Sequence, residues 1–210
     1  MLFTTLNDLE GCGLCEERWR RLLKSLGKEV GDGEPLAYSH ILESNGIDDA
    51  LWCLMALPGI YNDPVRLLAC EFAEQALPYV PEGELRPKEA VMTARLYAQG
   101  RISAEALEVA NIGAEFASQT SLCIAARFAS MSAAWAAAGV MASTGRAIAS
   151  FSALSASWTA AKAAAWVAER DAAWLGVDAG EMLKSAGPVA AAAARRKQKE
   201  IFKGWLNEMG

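Results

Sequence analysis

Apolar residues return along this chain at the spacing of one helix face, segment after segment. Cys15, Trp19, Leu22, Leu23 and Leu26 fall at i, i+4, i+7, i+8 and i+11, a single stripe on an amphipathic helix. Gly27 supplies its stop, because glycine readily takes the left-handed turn that closes helices. Gly31, Gly33 and Pro35 make 28–35 a loop, and a short helix is expected over 36–44, closed by Asn45-Gly46. Asp48 is placed to cap a helix that runs to Leu57, where Pro58-Gly59 ends it. Asp63-Pro64 reads as the next start: the carboxylate can accept from free amides, and proline there loses no needed donor. Val65, Leu68, Ala69, Phe72, Ala73, Ala76 and Leu77 form its apolar stripe. Pro78, Pro81, Gly83 and Pro87 predict a loop, Pro87 opens a helix that Gly100 closes, and Ser103 caps another to about Ser118. Val and Ile nowhere alternate with polar residues, so no strand is expected.

The pattern then changes character. From Phe116 to Ala161 the only charges are Arg127 and Arg146, and Ala and Ser dominate. Helices this thin can approach closely, and their lack of charge demands burial, which puts them at the centre of a bundle. Gly139 and Gly145 mark a break between two of them. Trp158, Trp166 and Trp174 recur every eight residues, a rotation of about 80° each time. They are therefore read as separate anchors that fill space left by alanines. Asp178 starts a further helix ending near Gly187, and Pro188 opens the last. The fold expected is an all-α multi-helix bundle of about eight to ten helices. Residues 1–60 would form a small N-terminal module and 61–210 an Ala-rich bundle, packed as one unit.

Charge narrows the range of partners. The chain is acidic, with a net charge of −5 over 210 residues. The imbalance lies in residues 1–100, which hold 16 acids and 9 bases, against 9 and 11 in the remainder. Nucleic-acid binding is not expected without a basic face, and a basic protein partner would be steered to the first half. The run Arg195, Arg196, Lys197, Lys199 and Lys203 reads as a solvated helix face. Phe128–Gly145 is uncharged but built of Ala, Ser and Gly, which barely drive insertion, so no membrane span is expected. The first residues lack a basic leader, so the expected location is the cytoplasm of a bacterial host.

Candidate chemistry is sparse. Cys12-Gly13-Leu14-Cys15 has redox spacing, but the surrounding βαβ pattern is missing, and one such pair is half of a zinc site. The alternative of a Cys12/Cys15 redox or metal protein is set against a reading in which Cys15 packs in the core and Cys12 is incidental. Cys53 and Cys70 sit in apolar patterns, as reduced buried thiols do. The single histidine, His40, follows Ser39 with no elbow motif, and no phosphate-cradling glycine loop occurs. No catalytic residue, cofactor or metal is therefore assigned, and the chain is read as a non-enzyme. The polar residues chosen as a candidate interaction or structural site are Arg86, Arg95, Glu71 and Glu74. Arg95 lies in line with Val91 and Ala94, so its guanidinium is expected to meet Glu71 or Glu74 across a helix interface.

Two stretches carry a resemblance. Arg66-Leu67-Leu68-Ala69-Cys70-Glu71-Phe72-Ala73-Glu74-Gln75-Ala76-Leu77-Pro78, then Arg86-Pro87, Ala90, Ala94-Arg95 and Gly100-Arg101-Ile102-Ser103, with the Ala-rich 116–175 behind them, resemble a bacterial and prophage family of immunity proteins. Cys15, Leu22, Leu26-Gly27 and Asp48-Asp49-Ala50-Leu51-Trp52-Cys53-Leu54 resemble a short helical module of phage and bacterial proteins, aligning Cys15 and not Cys12. The resemblance implies a helical protein that binds and neutralises a toxin, and the function expected is a non-enzymatic binding protein of phage or prophage origin, immunity-like or directed at a host defence factor. The alternative is an assembly protein that oligomerises through its Ala-rich helices. A homodimer is expected in either case if part of 116–161, with Trp135, Trp158, Trp166 and Trp174, stays uncovered.

Overall fold

The computed structural model describes residues 2–137, 145–174 and 179–209. Its described residues form ten α-helices and one two-stranded ribbon, so the all-α expectation holds. In chain order they are β1 (Phe3–Thr4), α1 (Leu6–Glu10), α2 (Glu16–Leu26), β2 (Leu36–Ala37), α3 (Tyr38–Ser44), α4 (Ile47–Cys53), α5 (Asn62–Glu74), α6 (Arg86–Ala98), α7 (Ala104–Thr120), α8 (Ile124–Ala137), α9 (Gly145–Trp174) and α10 (Ala179–Glu208). No described helix is long and apolar enough to cross a membrane.

The ribbon is a correction. β1 and β2 pair antiparallel, Phe3 opposite Ala37 and Thr4 opposite Leu36. Two residues per strand are too few to alternate visibly, and the pairing depends on the turn of the chain between them. The starts of two helices also differ. α4 begins after Gly46, whose φ of 91° suits only glycine comfortably, and Asp48 lies in its first turn. α5 begins one residue before Asp63, out of a 3-10 turn. Gly27 and Gly100 close α2 and α6 as expected, with φ of 67° and 68°. Ser103 caps α7 by accepting from the Ala106 amide.

The largest departure is α10. Pro188 lies inside one continuous helix instead of opening it. A proline removes one backbone bond and crowds the preceding turn, typically costing about 3 kcal/mol. The Ala-rich stretch that follows favours helix strongly, and α10 packs along α9.

α9 is the axis of the bundle and touches α4, α5, α8 and α10. Ala126, Ala129, Ala133 and Ala136 of α8 and Ala153, Ala156 and Ala163 of α9 are fully buried. The charge-poor helices thus form the centre, as expected. Buried Ser132 is satisfied across the α8–α9 interface, where it donates to the Ala156 carbonyl at 2.8 Å. Arg127 donates to the Ser118 carbonyl at 3.2 Å, closing the end of α7. One core cluster runs from Leu2 and Leu6 through Phe72 to Phe202 and Leu206, so apolar packing continues across the expected boundary at residue 60.

Candidate functional site

The centre of interest lies where α5, α6, α9 and α10 meet. Arg95 Nε donates to Glu74 at 2.9 Å, joining α6 to α5. Glu71 stands one helical turn earlier, close enough for Arg95 to favour its charge. Burial outweighs that help and pushes the Glu71 carboxyl above its usual range, with Glu208 and Glu74 adding repulsion. These residues, with Gln75, Lys197 and Ile201, line a cavity of about 370 Å³. Gln75 and Lys197 also border a second cavity of about 490 Å³. Its walls are Ala160, Ala164 and Val167 of α9 and Ala190 and Ala194 of α10, with Tyr79 beside Gln75. The two share Gln75 and Lys197 and make one groove, polar at the Arg95 end and walled mostly by alanines beyond it, with Asp171 also on its lining. Small side chains on both helices leave this space between them.

Three of the four residues selected from sequence therefore line one cavity. Arg86 does not join them. Its guanidinium pairs with Glu84 on the preceding loop and lies over the Phe116 ring at 5.2 Å. The Arg86-Pro87 start of α6 and Arg95 near its end face different surroundings, so the candidate set divides in two.

A second polar cluster escaped the sequence reading. Arg195 of α10 reaches across to Asp48 of α4, Ser157 of α9 and Gln198. Ser157 and Gln198 are fully buried and bond each other at 2.8 Å. Trp158 Nε1 donates to the same Asp48 carboxylate at 3.2 Å. Burial draws the Arg195 pKa down to about 10, so the group remains a cation at neutral pH. Nearby, Lys199 and Lys203 both pair with Glu43 of α3, at 2.9 and 3.1 Å. The C-terminal basic run is therefore not a wholly solvated face. Three of its cations answer acids of the N-terminal segment, so part of the acidity of the first half is neutralised within the chain. Arg66 was likewise missed: it is buried in α5, with its guanidinium 5.0 Å from the Tyr97 ring centre. The signal available for it was a cation at a core-facing position of a regular stripe.

The tryptophans are also corrected. Trp158 and Trp166 are about half exposed instead of filling interior space, and the Lys162 ammonium lies 5.4 Å from the Trp158 ring centre. Trp174's side chain lies outside the described residues. Cys15 is exposed as the residue before α2, and Cys12 is the one packed against the core. Burial, then Asp8, raises the Cys12 pKa, which opposes the thiolate a redox nucleophile needs. Cys53 and Cys70 are buried free thiols, as read from their pattern.

His40 has an unexpected neighbour, since its Nε2 lies 2.8 Å from the Ser25 hydroxyl. That hydroxyl donates to the Leu22 carbonyl at 2.7 Å, so Nε2 is left to donate to the serine oxygen. A nucleophilic serine needs the reverse polarity, with the ring accepting its proton. Among the described residues no group of three or more His, Cys, Asp or Glu is placed to hold a metal ion.

Fold and groove together describe a helical bundle with an alanine-walled cleft that ends in a mixed-charge pocket. Compared with protein-family models, curated proteins and solved structures, the chain matches none significantly.

Proposed function

We propose that the chain is a non-enzymatic binding protein of phage or prophage origin, which neutralises a toxin or a host defence factor by occluding its surface. The observation that carries this reading is the convergence of Glu71, Glu74 and Arg95 on one cavity that continues into the alanine-walled groove. Such a cleft has the character of a docking site: apolar walls for burial, and a few polar groups to fix register. A protein segment with one apolar face suits the groove, and its polar end would meet Lys197, Arg95 and Glu71. An occluding inhibitor needs no cofactor and no catalytic set. The cytoplasm of the bacterial host is where such a partner would be met.

The test is capture from a bacterial host lysate with three proteins: the parent, Ala164→Phe, which fills the groove, and Lys197→Glu, which inverts its polar end. Each must keep the helical circular dichroism of the parent. A partner retained by the parent and lost by both variants supports the reading. Equal retention by all three would place the partner elsewhere and remove the groove from the argument.

A further inference from the structure

Helix α7 presents a stripe of large apolar residues to solvent. It packs chiefly on α6 and α8, burying Leu107, Asn111, Ala114, Ala117 and Ser118. On the outside, Val109, Ile112 and Phe116 are 71%, 55% and 55% exposed. Their spacing of three and four residues keeps them within about 60° of one another, a continuous stripe. Exposed α2 has the opposite character, with Glu16, Glu17, Arg20 and Arg21 outward and paired along the helix.

The two borders of the α7 stripe carry opposite charge. Glu108 and Glu115 lie along one side, by the same helical geometry. Arg86 lies along the other, where its side chain approaches Gly113 and its guanidinium covers the Phe116 ring. Arg86 and Glu115 therefore stand at nearly the same height on opposite edges.

We propose that this face is covered by the α7 face of a second copy, with the two helices parallel about a two-fold axis that runs along them. That operation sets opposite borders against each other at equal height. Glu115 of each copy meets the other copy's Arg86, and Phe116 meets Phe116. The antiparallel alternative sets like borders together and brings the Glu108 and Glu115 edges of both copies face to face along the whole seam, whereas the parallel pair opposes like charges only at Glu105, at the exposed N-terminal end of the stripe where solvent screens them. Arg86 keeps its own Glu84 and gains a second carboxylate. The closed symmetry explains why an apolar stripe is not an invitation to open-ended association.

The experiment is light scattering over a range of concentrations, followed by oxidative cross-linking. The parent should approach twice the 22.4 kDa chain mass. Ile112→Glu, at an exposed site that leaves the fold intact by circular dichroism, should return it to one chain. Glu115→Arg should weaken the dimer at least tenfold, and adding Arg86→Glu should restore it. In a Cys15→Ser background, Glu105→Cys and Phe116→Cys should each cross-link to themselves, because a parallel pair places every position opposite its own copy. A parent that stays at 22.4 kDa at the highest concentration overturns the proposal. So does a dimer that survives Ile112→Glu, or one in which neither cysteine cross-links to itself.

Discussion

Asp48 on α4 and Arg195 on α10 form an ion pair between the N-terminal segment and the C-terminal helix, and the pair is ringed by Ser157, Trp158 and Gln198. Its two members are unequal. The Arg195 side chain is 21% exposed and that of Asp48 36%, so the arginine depends more on its partner than the reverse. Removing Asp48 leaves a largely buried cation, whereas removing Arg195 leaves a carboxylate that water can reach. Asp48→Ala is expected to lower stability by about 2–3 kcal/mol, allowing for the partial exposure of the pair. Arg195→Met should cost less, since Ser157 and Gln198 still satisfy each other. Urea unfolding of both variants measures the order, and a larger loss for Arg195→Met would contradict it.

The Glu43 clasp predicts an acid dependence. Lys199, then Lys203, hold the Glu43 carboxyl below its usual range in the folded chain. A group with a depressed folded pKa contributes stability above its unfolded pKa and loses it as pH falls through the folded one. The stability difference between parent and Glu43→Gln should therefore be present at pH 6 and vanish towards pH 3. Urea midpoints across that range test it. Salt should shrink the same difference, because the carboxylate is exposed.

Alanines in the core and in the groove should respond oppositely to enlargement. Ala156 is fully buried, and its carbonyl accepts from Ser132. Ala164 borders open space in the groove. Ala156→Leu should destabilise by about 1–3 kcal/mol through overpacking, and Ala164→Leu should be neutral within about 0.5 kcal/mol. Thermal unfolding midpoints of the two variants provide the comparison.

The thiols should react in the order of their exposure. Cys15 is exposed, whereas Cys53 and Cys70 are buried, and burial pushes the Cys70 thiol up to about 12. A maleimide at neutral pH should modify Cys15 within minutes and leave Cys53 and Cys70 unmodified until denaturant is added. Peptide mapping of the labelled protein reads the order.

Ser25 should behave as a structural hydroxyl. With its proton committed to Leu22 and His40 donating to it, a fluorophosphonate probe should leave it unlabelled. Labelling at Ser25 by mass spectrometry would show that the pair has the opposite polarity.

Local periodicity and punctuation made much of this molecule readable in advance. The stripe Leu22-Leu23-Leu26, the stop at Gly27, the cap at Ser103 and the closure at Gly100 act through the backbone within a few residues, so their signals are written side by side in the chain. The charge-poor run from Phe116 to Ala161 announced the central place of the α8 and α9 alanines for a different reason: helices with almost no charge gain little from solvent. The Arg95–Glu74 pair was legible because the arginine falls in line with an apolar stripe, where a cation requires a partner nearby.

What only the tertiary structure decided are relations between segments far apart in the chain. Nothing near Arg195 names Asp48, and nothing near Lys199 names Glu43, since ion pairs across helices depend on crossing geometry and carry no sequence period. Whether Pro188 ends a helix or sits inside one was set by the helix beside it, because packing along α9 spans the site of the missing hydrogen bond. The groove is likewise a property of two helices. Each alanine on its own reads as burial, and only the spacing of α9 and α10 turns Ala164 and Ala194 into walls of open space. By itself the sequence determined which faces are apolar and where helices stop. Tertiary packing decided which of those faces meet one another, and it left the α7 face of Val109, Ile112 and Phe116 in solvent.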